Sequence, residues 1–192
     1  MPDSAALLAE IAAEFPGFRA VDKRASRLSA VIDTALRWLT LGRQRDYLTR
    51  YHTVIGSTLY LPDVWSASAE VDRVIVLRHE RVHLRQFRRL GTLGMAFLYL
   101  VPLFPIGLAW GRARLEWEAY RETLAATFEL RGPEALRSPA LRQEIVDRFV
   151  GAAYGWMWPF RRAVERWYDD ALRELEPPAV GHRPRPGRGE EA

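Results

Sequence analysis

The sequence predicts an α+β domain, predominantly helical, with a small β-hairpin or sheet beside one long helix. Three observations carry this. Apolar residues recur at helical spacing through most of the 192-residue chain. One segment, 50–62, instead has the composition of paired strands. An apolar fraction of 48% suffices for one core, so residues 1–176 read as a single domain and 177–192 as a disordered tail.

In chain order, residues 5–15 form a short helix with Ala, Leu and Ile on one side and Glu10 and Glu14 on the other, ended by Pro16-Gly17. Residues 25–41 form a second, with Leu28, Val31, Ile32, Ala35, Leu36 and Leu39 at helical spacing and Gly42 as the stop. Thr53-Val54-Ile55 and Thr58-Leu59-Tyr60-Leu61 flank Gly56-Ser57 as a β-hairpin, closed by Pro62. Ser66 or Ser68 can cap the next helix, over roughly 69–90, and Glu70 and Asp72 favour its first turn. From Leu90 to Gly111, twenty-two residues carry no charge, with Pro102, Pro105 and Gly107 as breakers. Residues 107–131 are helical again, stopped at Arg131-Gly132-Pro133. Residues 139–174 give one or two more helices, interrupted near Trp158-Pro159.

The absence of cysteine excludes disulfides, iron–sulfur clusters, thiolate-bound zinc and a Cys nucleophile. Any metal must be held by His, carboxylate and water, a donor set that suits a hydrolytic site better than a structural one. The formal net charge is +4, almost all of it from Arg, since Lys23 is the single lysine. A solvated surface explains that charge, and an anionic membrane or acidic substrate is the sharper alternative. No nucleic-acid-binding signature is visible, and no Ser/His/Asp arrangement or phosphate loop appears. The N-terminus lacks a basic region ahead of an apolar run, so the expected location is cytoplasmic.

The chemistry concentrates at His79-Glu80-Arg81-Val82-His83, an HExxH motif on a predicted helix. Residues four apart share a helix face, so both imidazoles converge on one point where Zn²⁺ can sit. Glu80 lies beside the first of them, placed to deprotonate a metal-activated water. A strand pair ahead of such a helix is what a zincin fold needs, because a sheet edge can bind an extended peptide.

The next long helix carries Arg114-Leu115-Glu116-Trp117-Glu118-Ala119-Tyr120-Arg121. Together with HExxH it resembles the gluzincin metalloproteases, whose third zinc ligand is a Glu in the pattern Glu–aromatic or aliphatic–x–Ala–Asp. Glu116, Trp117 and Ala119 match the first, second and fourth positions, so the resemblance makes Glu116 the third ligand beside His79 and His83. Tyr120 stands where the family has an Asp that hydrogen-bonds a zinc-binding His. Glu118 is the rival ligand, on a different face. The likeness covers 79–120 and extends loosely to the hairpin at 53–61, which looks like that of the minigluzincins. Uncharacterised bacterial proteins reading HExxHxxQ, an apolar stretch and ExEAY are similar too. Gln86 fills their Gln position, either supporting a ligand or facing solvent. The resemblance implies a zinc peptidase acting on a peptide or protein substrate, with Glu80 as general base; iron or cobalt also suits a His₂Glu site. Tyr120, Tyr154 or an arginine are the choices for stabilising the oxyanion.

That ligand set constrains the uncharged stretch. A single transmembrane crossing would separate His79 and His83 from Glu116 by about 30 Å of hydrocarbon. Residues 90–111 therefore read as a helical hairpin turning at 101–105, either packed in a soluble core or peripheral or re-entrant at the inner face of the membrane. Trp156, Trp158, Phe160, Arg161 and Arg162 fit a membrane surface or an aromatic cluster over the core. His52 reads as structural or as a substrate contact, and His182, in the tail, as incidental. Two readings compete with the peptidase: a non-catalytic, membrane-associated binding or regulatory relative, and a helical membrane-associated protein in which HExxH is coincidence.

Overall fold

The computed structural model describes residues 3–25, 52–100, 109–151 and 157–176. The helix expected at 25–41, the turn at 101–105, Tyr154, Trp156 and the tail with His182 lie outside the described residues. The rest is predominantly helical with one small sheet, the α+β class expected.

Helix α1 (Ser4–Glu14) is capped by Asp3, whose Oδ1 accepts from the amides of Ala5 and Ala6 at 2.9 and 3.0 Å. Gly17, at φ 79°, turns the chain into strand β1 (Arg19–Asp22). This strand was not anticipated, because four residues reading Arg-Ala-Val-Asp show too little alternation to stand out. Strands β2 (Thr53–Ile55) and β3 (Thr58–Leu61) form the expected hairpin, with Ile55 opposite Thr58. Gly56 takes φ 61° at the first turn position, where a tight hairpin favours glycine. β1 pairs in parallel with β3, giving the order β1-β3-β2.

Helix α2 (Glu70–Leu100) carries HExxH. Neither serine caps it: Ser66 and Ser68 donate back to the carbonyls of Asp63 and Val64. The helix runs beyond the expected end near residue 90, but it breaks at Gly91, where φ is 68° and ψ 170°. A side chain would strain that conformation. Residues 92–100 continue as helix in a new direction. Helix α3 (Trp110–Arg131) follows, ended by Gly132 at φ 81°. Helices α4 (Pro133–Leu136), α5 (Pro139–Val150) and α6 (Arg161–Leu175) complete the described chain, the first two starting on the prolines expected of a first helical turn.

Apolar side chains form two cores. Ile11, Phe15, Val54, Leu59, Leu77 and Leu84 join α1 and the sheet to one face of α2. Ala113, Trp117, Leu124, Ile145, Phe149, Val164 and Tyr168 join α3 to α4, α5 and α6. Trp158 stacks on Trp167 at 6.0 Å, so this aromatic belongs to the second core, while Phe160 stays exposed. Helices α2 and α3 form the seam between the cores. Polar ties hold it: the Arg78 guanidinium donates to Glu122 at 2.6 Å and to Glu129, and Arg131 pairs with Asp72. Leu77 and Leu84, seven residues apart, share the face of α2 turned toward the sheet. The histidines are thereby left facing the seam.

Candidate metal centre

His79 and His83 from α2 and Glu116 from α3 bring donor atoms within 4.8 Å of one another. His83 Nε2 lies 3.9 Å from Glu116 Oε2. One ion with bonds of about 2.0–2.2 Å can touch both atoms. Glu118, the rival, stays outside this cluster; its Oε2 accepts from Gln86 at 3.0 Å and from Arg89 at 3.3 Å.

Both imidazoles are oriented by hydrogen bonds at Nδ1. His83 Nδ1 donates to Gln86 Oε1 at 2.9 Å. Gln86, only 2% exposed, spends both amide protons across the seam, on the Leu115 carbonyl at 2.9 Å and on Glu118. His79 Nδ1 donates to Thr123 Oγ1 at 2.9 Å, and that hydroxyl donates on to the Ala119 carbonyl at 3.3 Å. These bonds fix the tautomer that leaves each Nε2 lone pair available to a metal. Burial, then the neighbouring His83, push the His79 pKa well below its ordinary value, so its ring is held neutral. The donor set therefore fits Zn²⁺ in chemistry, two imidazoles with Nε2 turned to the cluster and one carboxylate.

Thr123 is the hydrogen-bond partner of His79 on α3, one turn beyond Tyr120. It lies seven residues past Glu116, two turns along the same face. Tyr120, at the departing position, packs instead: its ring meets His79 edge-on at 5.0 Å and Phe149 at 5.6 Å. The carboxylate ligand is oriented too. Tyr99, in the helix segment beyond Gly91, donates its hydroxyl to Glu116 Oε1 at 2.6 Å. Burial and then the Glu116 charge raise the Tyr99 pKa well above its usual value, so it remains a donor. The Arg112 guanidinium sits 5.6 Å from the Tyr99 ring. A Cβ on Gly111 would meet Leu98 Cδ2 at 2.7 Å, so glycine there lets α3 approach the segment that carries Tyr99.

The structure brings together the three residues expected as donors and buries Gln86 beside them, while Thr123 and Tyr99 were not anticipated. Spacing along α3 points to Thr123; Tyr99 needed the Gly91 break. The sequence also left Lys23 unassigned. Lys23 is fully buried, and its ammonium donates to Thr53 Oγ1 at 2.9 Å, tying the end of β1 to the start of β2. His52, on the same side, has its ring 5.6 Å from Trp65 edge-on and a buried Nε2 without a hydrogen-bond partner among the described residues. Burial, then Lys23, lower its pKa to about 4.

Glu80 is buried and lies outside the donor cluster. Burial is the main cause that raises its pKa from 4.5 to about 7; Glu116 adds to the rise, while His83 and Lys23 oppose it. In the metal-free protein the folded state therefore keeps a proton that the unfolded chain releases. This contribution to stability is fully present below pH 4.5 and is lost as pH rises through about 7. At about 1.4 kcal/mol per pKa unit, the expected loss is about 3 kcal/mol. Urea unfolding of metal-free wild type and Glu80→Gln should show it as wild type losing stability relative to the variant as pH rises across that range. A constant difference would mean that the carboxyl is solvated.

Gln86→Leu removes the partner of His83 Nδ1 and both ties to α3. It is expected to weaken zinc binding roughly 10–100-fold and to cost about 1–3 kcal/mol of stability. Competition against a chelator and urea unfolding check the two effects.

No protein-family model, curated protein or solved structure matches this chain. The fold and the site define a helical α+β domain with a His-His-Glu group that could hold a metal ion.

Proposed function

We propose that the protein is a zinc-dependent peptidase of gluzincin type. One observation carries the reading: His79, His83 and Glu116 converge from two helices while Glu80 stands beside them and outside the donor set. Zn²⁺ bound there supplies Lewis acidity, lowering the pKa of water toward about 7 and polarising a peptide carbonyl.

The chain's own residues account for the rest. Gln86, Thr123 and Tyr99 orient the donors before any ion arrives. Glu80 accepts the proton from the attacking water and passes it to the leaving amine. Val82, Arg85, Gln86, Arg88, Arg89 and Glu118 line a groove of about 540 Å³ along the same seam.

The test is metal content of purified protein by mass spectrometry, followed by a screen against a denatured protein and a peptide library with and without added zinc. About one zinc per chain and zinc-dependent cleavage support the proposal. A folded protein that takes up no metal overturns it.

A further inference from the structure

Three large apolar side chains stand in solvent at the end of the α2–α3 pair: Leu93 is 86% exposed, Phe97 65% and Trp110 55%. Leu93 and Phe97 are four residues apart on the short helix beyond Gly91, so they share a face. Met95 on that segment is buried and Tyr99 reaches Glu116, which leaves Leu93 and Phe97 as its outward side. Leu98 packs on Gly111. That contact brings the helix segment carrying Phe97 close to the start of α3, where Trp110 stands.

Basic residues predominate around this surface, although Arg89 pairs with Glu118 at 3.3 Å. Residues 81–115 contain six arginines and neither Asp nor Glu. Arg88 and Arg89 are exposed just before the apolar residues, and Arg114 is exposed after them, 6.0 Å from the Trp110 ring. Arg81, Arg85 and Arg88 share Glu14, and Arg81 also meets Glu10, so three arginines face two carboxylates. Exposed Leu and Phe bounded by Trp and Arg is the chemistry that seats a helix at an anionic lipid–water interface. A neutral protein partner gives no reason for the exposed Arg114 beside the Trp110 ring. No helix among the described residues is long and apolar enough to cross a membrane, so the contact is with the surface.

We propose that Leu93, Phe97 and Trp110, with Arg88, Arg89 and Arg114, form a surface that docks the protein on anionic lipid bilayers. It is independent of what the metal centre does. Tyr99 on the docking segment nevertheless holds Glu116, so the metal centre lies close to the bilayer when the surface is engaged.

The experiment is flotation of the full chain with vesicles of phosphatidylcholine alone and of phosphatidylcholine with 30% phosphatidylglycerol. Wild type should bind the anionic vesicles at least about tenfold more tightly than the neutral ones, and raising the salt should weaken that binding. Leu93→Asp/Phe97→Asp should reduce it by about tenfold or more. Circular dichroism and zinc content confirm that the variant folds, and Arg88→Gln/Arg89→Gln, which leaves every apolar residue in place, should weaken binding to the anionic vesicles alone. Wild type that floats with neither vesicle, or a folded Leu93→Asp/Phe97→Asp protein that floats as well as wild type, overturns the proposal. So does wild type that binds no vesicle but is a dimer, with the aspartate variant a monomer; the surface would then belong to a second copy of the chain.

Discussion

Glu80→Gln is expected to lower peptide hydrolysis by about 10²–10⁴-fold while leaving zinc content at the wild-type level. The two halves of that outcome come from separate features of the site. The amide cannot accept a proton, so the attacking water loses its base and the leaving amine its acid. Zinc binding survives because Glu80 contributes no atom to the His79, His83 and Glu116 cluster. The fold should also accept the change. Glu80 is buried with its pKa raised to about 7, so the neutral carboxyl is already the form that folding favours, and glutamine matches its shape. A structural role for Glu80 would show as lost zinc or lost stability in step with lost activity. A variant with unchanged hydrolysis would remove Glu80 from the mechanism and leave the metal centre with a binding or regulatory role.

Where side-chain chemistry is local along one helix, the sequence was enough to read the site. His79 and His83 are four apart, and Gln86 is three beyond, so one helix face brings them together whatever the tertiary fold does. The hairpin was readable for the same reason, because Gly56-Ser57 imposes a tight turn between two runs of strand formers. Glu116 required a resemblance, since nothing in its own neighbourhood says which turn of α3 meets α2. Tyr99 was hidden for a different reason. It sits in an uncharged run that reads as bulk hydrophobicity, and the helix break at Gly91 and the close approach at Gly111 carry it to Glu116. Strand β1 and Lys23 escaped because their order comes from long-range partners: β1 pairs with β3, and the Lys23 ammonium is buried against Thr53. A short strand or a single lysine has no local pattern that announces such partners.

The other large effect is expected at Glu116. Glu116→Ala removes the only donor contributed by α3, leaving two imidazoles from α2. Zinc affinity should fall by more than the roughly 10–100-fold that loss of an outer hydrogen bond costs, and hydrolysis should fall with it. Equilibrium dialysis against a chelator of known affinity measures the first. Two neighbouring variants assign the effect. Glu118→Ala removes the rival carboxylate and one partner of Gln86, but no atom of the cluster, so it should weaken zinc far less than Glu116→Ala does. Tyr99→Phe keeps the carboxylate and deletes only the hydroxyl that fixes Oε1, so its loss should fall within the outer-hydrogen-bond range. The order Glu116→Ala, then Tyr99→Phe and Glu118→Ala, follows from the geometry, since among the carboxylates of the described residues only Glu116 joins the two histidines, its Oε2 facing His83 Nε2 across a gap one ion can fill. If Glu118→Ala proved the costlier change, α3 would have to rotate on binding to bring the next turn's face to the metal. The Arg78 ties to Glu122 and Glu129 and the Gln86 bond to the Leu115 carbonyl all oppose that rotation.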